Sequence, residues 1–508
     1  SILASLYNDL GLSDQAVALA KRRITVARQT YGSNDPRLAE ALISLGTDLH
    51  SSSSVNERQG ILLEAKRILD KNRDWKSRRR ASLDSALAEH YQSTDRQKAL
   101  DFGAEAIAIY RTLPPSDDLA GVLCYEGSIY SSDGEDAKAE PFFAEAVSVA
   151  EKLPRPLDPN LPLYAAELGE ANESLMHYRS AEQNLQLAWN VAKRLNGDDH
   201  VDSIETESRF GTFLGNTGRY RESLRHLSHA TEVCLKIKGP DDPFFTPQMF
   251  FQYGEMLGKA GRIEEGLSYI SRAIQNRRKN RPGTRYLAQM LDGYAVLLAA
   301  IGEDQRVREL LREADGILWK VHFDGGTDSI LLQIILALDS NRPEEATALI
   351  EKAYGPLQSG SALSENLVNN LYWRSELALL TKDSRTAQAL SARGLSLVES
   401  SENRQYLRLW EARYSVQNGN SYLLQGDPSK ALPILQHALQ LETEMFDPIS
   451  PDLINAKTAL ANCYLDLGQR ANSVKLLTEA ESIRALHPKL AEHYERPLRA
   501  LRERMSRS

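Results

Sequence analysis

The stretch Leu168–Ala188 reads LGEANESLMHYRSAEQNLQLA, and its spacing decides the fold. Leu168, Tyr178, Ala181, Leu185 and Ala188 are apolar, while Gly169 and Ala171 are small. A short break at Met176 divides two helical patterns. Residues at i, i+3, i+4 and i+7 share one helix face, so the stretch predicts an antiparallel helix pair with its turn at Met176.

The same pattern recurs through the chain. Breaks fall at Gly11, Ser53, Asp95, Gly134, Met176, Gly218, Gly261, Gly302, Asn341, Lys382, Gly426 and Gly468, a mean period of about 41.5 residues. Gly and Asn, the residues most tolerant of left-handed backbone, dominate these positions. Seven residues before each break stands a column of small residues that includes Gly46, Gly127, Gly169, Gly211, Gly254 and Gly419. Twelve after it stand Ala65, Ala146, Ala188, Ala230, Ala273, Ala314, Ala438 and Ala480. Small residues let paired helices approach, and the bulky column nine after the break fills the space between them. That column holds Phe143, Leu185, Leu227, Ile270 and Leu435.

Leu168-Gly169…Tyr178…Ala181…Leu185…Ala188 and Gly419…Tyr422…Gly426…Ala431…Leu435…Ala438 resemble the tetratricopeptide repeat (TPR). The long period, with loops such as Gly32-Ser33-Asn34-Asp35-Pro36 and Gly239-Pro240-Asp241-Asp242-Pro243, is similar to that of kinesin-light-chain repeats. Asp is suited to cap the next helix and Pro to open it. The resemblance implies an all-α, right-handed α-solenoid of about twelve antiparallel helix pairs. Residues 1–487 form the array, with an irregular bend expected at 316–361, around Gly325-Gly326. Residues 488–508 form a C-terminal capping helix. Each unit is expected to pack on its neighbours in one extended array.

Composition narrows the function. The 508 residues carry 61 Lys and Arg against 69 Asp and Glu, a formal charge of −8, which argues against nucleic acid as partner. Cys124, Cys234 and Cys463 are far apart and fall within apolar patterns, as core residues do. No apolar run approaches the roughly 20 residues of a membrane span. No phosphate loop, nucleophile elbow or kinase signature occurs, no cofactor is implied, and this stretch of chain reads as non-enzymatic. His226 and His229 share a helical spacing without a third metal ligand. The chain begins at Ser1, with Ile2, Leu3, Leu6 and Leu10 already at helical spacing, as a segment cut from a longer protein would.

The expected binding surface is the concave face, lined by the first helix of each pair. Column positions place Asn216, Lys259, Asn369, Asn420, Asn455 and Asn462 toward it. Amides there suit an extended peptide backbone, offering both a donor and an acceptor; equally, they suit hydration or holding the next helix. Two basic clusters, Arg73, Arg78, Arg79 and Arg80, and Arg277, Arg278, Lys279 and Arg281, read either as solvated helix ends or as docking patches for an acidic partner. Similar arrays occur beside bacterial eukaryotic-like serine/threonine kinases. The resemblance thus implies a protein- or peptide-binding scaffold, the sensor or docking region of a larger bacterial signalling protein. The alternative is a stand-alone adaptor or a receptor for a small ligand or signalling peptide. A cytoplasmic location is expected, or a periplasmic one if the array is the sensor half of a membrane receptor kinase.

Overall fold

A computed structural model describes residues 13–49, 55–92, 94–153, 158–320, 327–357 and 363–507. Twenty-four α-helices and no strands occupy the described residues. From Arg78 onward they alternate in pairs about the predicted breaks: Leu161–Ser174 with Tyr178–Asn196, Val201–Asn216 with Tyr220–Lys238, and so on to Asp452–Asp466 with Arg470–Leu486. The last helix, Glu492–Arg507, follows the final pair. The breaks at Gly11 and Ser53 and the Gly325-Gly326 pair lie outside the described residues. No described helix is long and apolar enough to cross a membrane.

Local chemistry builds each pair. Nine of the ten described breaks have positive φ, from +54° at Asn341 to +101° at Gly261. The exception, Asp95, caps the next helix instead by accepting from the Lys98 amide. The left-handed residue turns the chain so that the following amide closes a six-to-one bond onto the outgoing helix, as Arg219 N does on Leu214 O at 2.8 Å and Glu303 N on Leu298 O at 3.0 Å. In the loops between pairs, Asp35 accepts from Arg37 N with Pro36 at the helix start, and Asp242 Oδ2 accepts from Phe244 N and Thr246 N.

Packing follows the three columns. A Cβ added at Gly127 would lie 2.7 Å from the Phe143 ring, one at Gly169 2.6 Å from Leu185, and one at Gly419 2.4 Å from Leu435. These glycines are where the paired helices touch, and the bulky residue sixteen positions later fills the contact. The alanine column from Ala65 to Ala273 is fully buried at Ala65, Ala146, Ala188, Ala230 and Ala273.

The helices form two compact units, the division falling within the helix Tyr178–Asn196. One unit runs to Leu175 and takes in Gln183–Leu195; the other comprises Met176–Glu182 and Asn196–Ser508. The second unit does more than pack neighbour on neighbour. It winds far enough for a later turn of the superhelix to rest on an earlier one. Asp447 N donates to Ala260 O at 2.9 Å, and Ala491 N to Ala300 O at 3.0 Å. Asn403 Nδ2 reaches Met176 O at 2.9 Å, and the Tyr406 hydroxyl reaches Glu182 at 2.7 Å. Tyr220 stacks on Phe446 at 5.5 Å, Lys489 pairs with Glu303, and Arg496 holds the carbonyl of Asp339. His487, 1% exposed, bridges Glu264 by Nδ1 and Ile449 O by Nε2. Short turns within earlier pairs therefore meet loops between later pairs along a continuous seam. The expectation of nearest-neighbour contacts alone is corrected, because the curvature brings residues 154 to 227 positions apart together.

Candidate functional site

Within the second unit, first helices, second helices and the last helix bring side chains together around one arginine. Arg413, on the helix Arg408–Leu424, is the central cation. Its guanidinium lies 5.4 Å from the Trp410 ring and 5.8 Å from the Tyr372 ring. Tyr220, Asp452 and Tyr494 come within electrostatic reach from three further helices. Arg413 is half-buried. Among the described residues no carboxylate lies within ion-pair distance of it, and none of its nitrogens is sealed from solvent.

Around this cation the acids are in part engaged or sealed. Asp452 accepts from the Tyr494 hydroxyl at 3.2 Å and from the Ser450 hydroxyl at 3.3 Å. Gln417 Nε2 donates to Glu376 at 2.6 Å and to Tyr372 O at 3.2 Å. Burial raises the Glu376 carboxyl above the usual carboxylate range, against the pull of the Gln417 hydrogen bond. Glu442, 5% exposed, is raised further by burial and by nearby Asp452, and its Oε2 has no partner. Gln417 Oε1 and Asn455 Oδ1 are likewise sealed without partners.

Arg413 stands six residues before the small-column residue Gly419, the register that Asn369 holds before Ser375 and Asn455 before Ala461. In these last three units the position holds two amides and one arginine; sequence reasoning singled out the amides and passed over Arg413. That shared register was the signal available.

The other amides occupy varied settings. Lys259 Nζ bonds Asn216 Oδ1 at 3.1 Å and pairs with Glu255 at 2.8 Å, close to Tyr220. Asn369 Nδ2 turns back onto Glu365 O. Asn420 makes no hydrogen bond among the described residues and is partly exposed. Asn462 is held by the last helix: Arg504 Nη1 donates to its Oδ1 at 2.6 Å while also pairing with Asp466.

The basic clusters are largely neutralised within each unit. In the first, Arg80 is 6% exposed and bonds Asp84 and Asp70, Arg78 pairs with Asp118, and Arg79 approaches Asp74 and Glu40. Arg73 is exposed at φ +52°. In the second, Arg277 is 6% exposed, donates to Phe244 O at 3.0 Å and stacks near Tyr286. Burial lowers its pKa. Arg278 pairs with Glu313, Arg281 lies over Phe244, and Lys279 is exposed. His226 and His229 both direct Nδ1 at the buried carboxylate of Glu207, at 3.0 and 2.7 Å. Among the described residues no three His, Cys, Asp or Glu side chains converge as metal ligands.

No family model matches the chain, and no curated protein does. The chain is a TPR-like α-solenoid. Among solved structures, it is similar to BtubC (BKLC) from P. vanneervenii at 15% identity, over 49% of this chain and 93% of that one, with a TM-score of 0.35. It is similar to a Rap protein complexed with competence and sporulation factor at 11% identity, over 80% and 100%, with a TM-score of 0.48. A third likeness is to the Cut9–Hcn1 hetero-tetramer of the APC/C, at 14% identity over 98% and 95%, with a TM-score of 0.37.

Proposed function

We propose that this chain is a non-catalytic binding scaffold whose second unit holds an extended peptide segment in its interior. The observation that carries this is the register shared by Asn369, Arg413 and Asn455, which sets two amides and an open guanidinium on successive first helices. Amides at helical-repeat spacing suit a peptide backbone, which offers donors and acceptors at a regular rise whatever its side chains. The neutralised basic clusters favour this interior over a surface patch for an acidic partner.

Selection from a displayed random-peptide library, followed by hydrogen exchange of the chain with a selected peptide, tests the reading. Slower exchange is expected in the helices Glu365–Leu380, Arg408–Leu424 and Asp452–Asp466. Failure to select any peptide, or protection confined to second helices such as Ser384–Glu399, contradicts it.

The long-period repeat motivates a finer reading, in which the array is the docking or sensor region of a larger bacterial signalling protein such as a serine/threonine kinase. The sequence encoded upstream of Ser1 tests that reading. A Gly-rich nucleotide loop and a catalytic-loop Asp there support it, and a different domain removes it.

A further inference from the structure

We propose that His487 is a proton-operated latch on the seam of the second unit. Its imidazolium form holds the last segment of the chain on an earlier turn, and loss of that proton releases it. The latch is independent of what the interior binds, and its failure leaves the peptide reading standing.

Both nitrogens of the His487 ring stand against acceptors. Nδ1 lies 3.0 Å from a carboxylate oxygen of Glu264, and Nε2 lies 2.9 Å from the carbonyl oxygen of Ile449. A carbonyl can only accept, and so can an ionised carboxylate, so both nitrogens must donate, which only the imidazolium does. A neutral ring keeps one of these bonds and turns a lone pair on the other acceptor. At 1% exposure the ring has almost no contact with water to relieve that repulsion. His229, His437 and His493 differ: each sets one nitrogen on a carboxylate, a bond that a neutral tautomer retains.

Position on the seam makes this ring a latch. Residues 487–493 lay three side chains on three successive earlier units: His487 on Glu264, Lys489 on Glu303 at 2.6 Å, and His493 on Asp339 at 2.9 Å. A lysine–glutamate pair keeps its charges across the neutral range, and the His493 bond survives in a neutral ring. His487 is the rung that requires a proton. The backbone bonds from Asp447 N to Ala260 O and from Ala491 N to Ala300 O lie in the same seam. Two further charges stand near the ring: Arg484, whose Nη1 reaches the His487 carbonyl at 3.4 Å, and Glu495, which neutralises Arg484 at 2.8 Å. Asp447 lies in the loop that supplies Ile449. Glu264 is thus the acid that directly opposes the ring. The closed seam binds a proton that the open seam does not need. Closure is therefore complete at mildly acidic pH and is lost as pH rises through the histidine range.

Hydrogen exchange of the full chain from about pH 6 to about pH 9 tests this. The quantity read is the protection of the Asp447 and Ala491 amides, corrected for intrinsic exchange, divided by that of buried helix amides in the same unit. The ratio removes changes in global stability that other buried acids impose on the whole unit. In the native chain it is expected to fall above the histidine range by up to about tenfold per pH unit, the limit for one proton. In His487→Gln, whose side chain does not titrate, the ratio is expected to stay flat; in His493→Gln it should fall as in the native chain. A flat ratio in the native chain overturns the proposal, as does an unchanged fall in folded His487→Gln or a fall abolished by His493→Gln. If His487→Gln leaves the seam unprotected at every pH, nitrogen-15 spectra of the histidine-labelled native chain decide the matter. The His487 ring, identified by its absence from the variant's spectrum, is expected to show imidazolium shifts at about pH 6. It should give way to a neutral tautomer over the range in which the ratio falls. A neutral His487 ring at that acidic end overturns the proposal.

Discussion

Lys382 and Met176 carry side chains at φ +61° and +59°, in the role that glycine fills at Gly218, Gly426 and Gly468. Left-handed backbone costs an L-residue about 1–2 kcal/mol, part of which glycine returns through its freer unfolded state. Lys382→Gly is therefore expected to stabilise the fold by about 0.5–1 kcal/mol in denaturant titration, with no loss of helix. Gly127→Ala has the opposite sign: its methyl meets the Phe143 ring at 2.7 Å, and overpacking of this kind costs about 1–3 kcal/mol. Glu126, 3% exposed with Oε2 unpaired, has its pKa pushed up to about 7 by burial. A carboxyl whose folded pKa exceeds its unfolded value favours the fold when protonated. Stability should fall as pH rises from about 4.5 to about 7, by a total of about 2–3 kcal/mol. Glu126→Gln is expected to flatten that decline and to be the more stable protein at pH 8. Melting curves across this range check it, and an equal decline in both proteins contradicts the assignment.

At the scale of elements, two turn glycines separate local strain from contact. Gly426 (φ +77°) has open space where a Cβ would stand; at Gly261 (φ +101°) a Cβ would come within 2.2 Å of Ser450 Cβ and 2.4 Å of its Cα. Gly426→Ala should cost about 1 kcal/mol, the backbone term alone. Gly261→Ala should cost distinctly more, because the seam must part to admit the methyl. Equal losses in denaturant melts would mean that the seam contact contributes nothing. The helix pairs were legible in the sequence because their determinants are local: an αL residue at the break, a small residue seven before it, a bulky one nine after. These recur every 39 to 44 residues and identify one another. The seam was not legible, because His487 meeting Glu264 or Tyr220 meeting Phe446 has no counterpart at any fixed spacing. Arg413 went unread for a related reason. An arginine on an amphipathic helix ordinarily faces water, and only the curvature of the whole unit turns this one inward.

At the scale of the second unit, the seam and the interior are one feature. Short αL turns and small-residue contacts set the angle between pairs, the accumulated angle brings a later turn onto an earlier one, and closure encloses Arg413, Glu376 and Glu442. A binding interior formed this way depends on contacts remote from it. His487→Ala leaves the interior untouched but removes both bonds of a 1%-exposed bridge. It is expected to destabilise the fold by about 2–3 kcal/mol in denaturant titration. No loss of stability would mean that the seam bridge contributes nothing.

Closure of the second unit is tested most directly by native-state hydrogen exchange at the backbone amides of Asp447 and Ala491. Both lie in loops between helices and donate only across the seam, to Ala260 O and Ala300 O. The expected result is protection comparable to that of buried helix amides in the same unit, lost only when the unit unfolds. Exchange at the rate of exposed loop amides at either position would contradict a superhelix whose turns rest on one another, and with it the enclosed interior around Arg413.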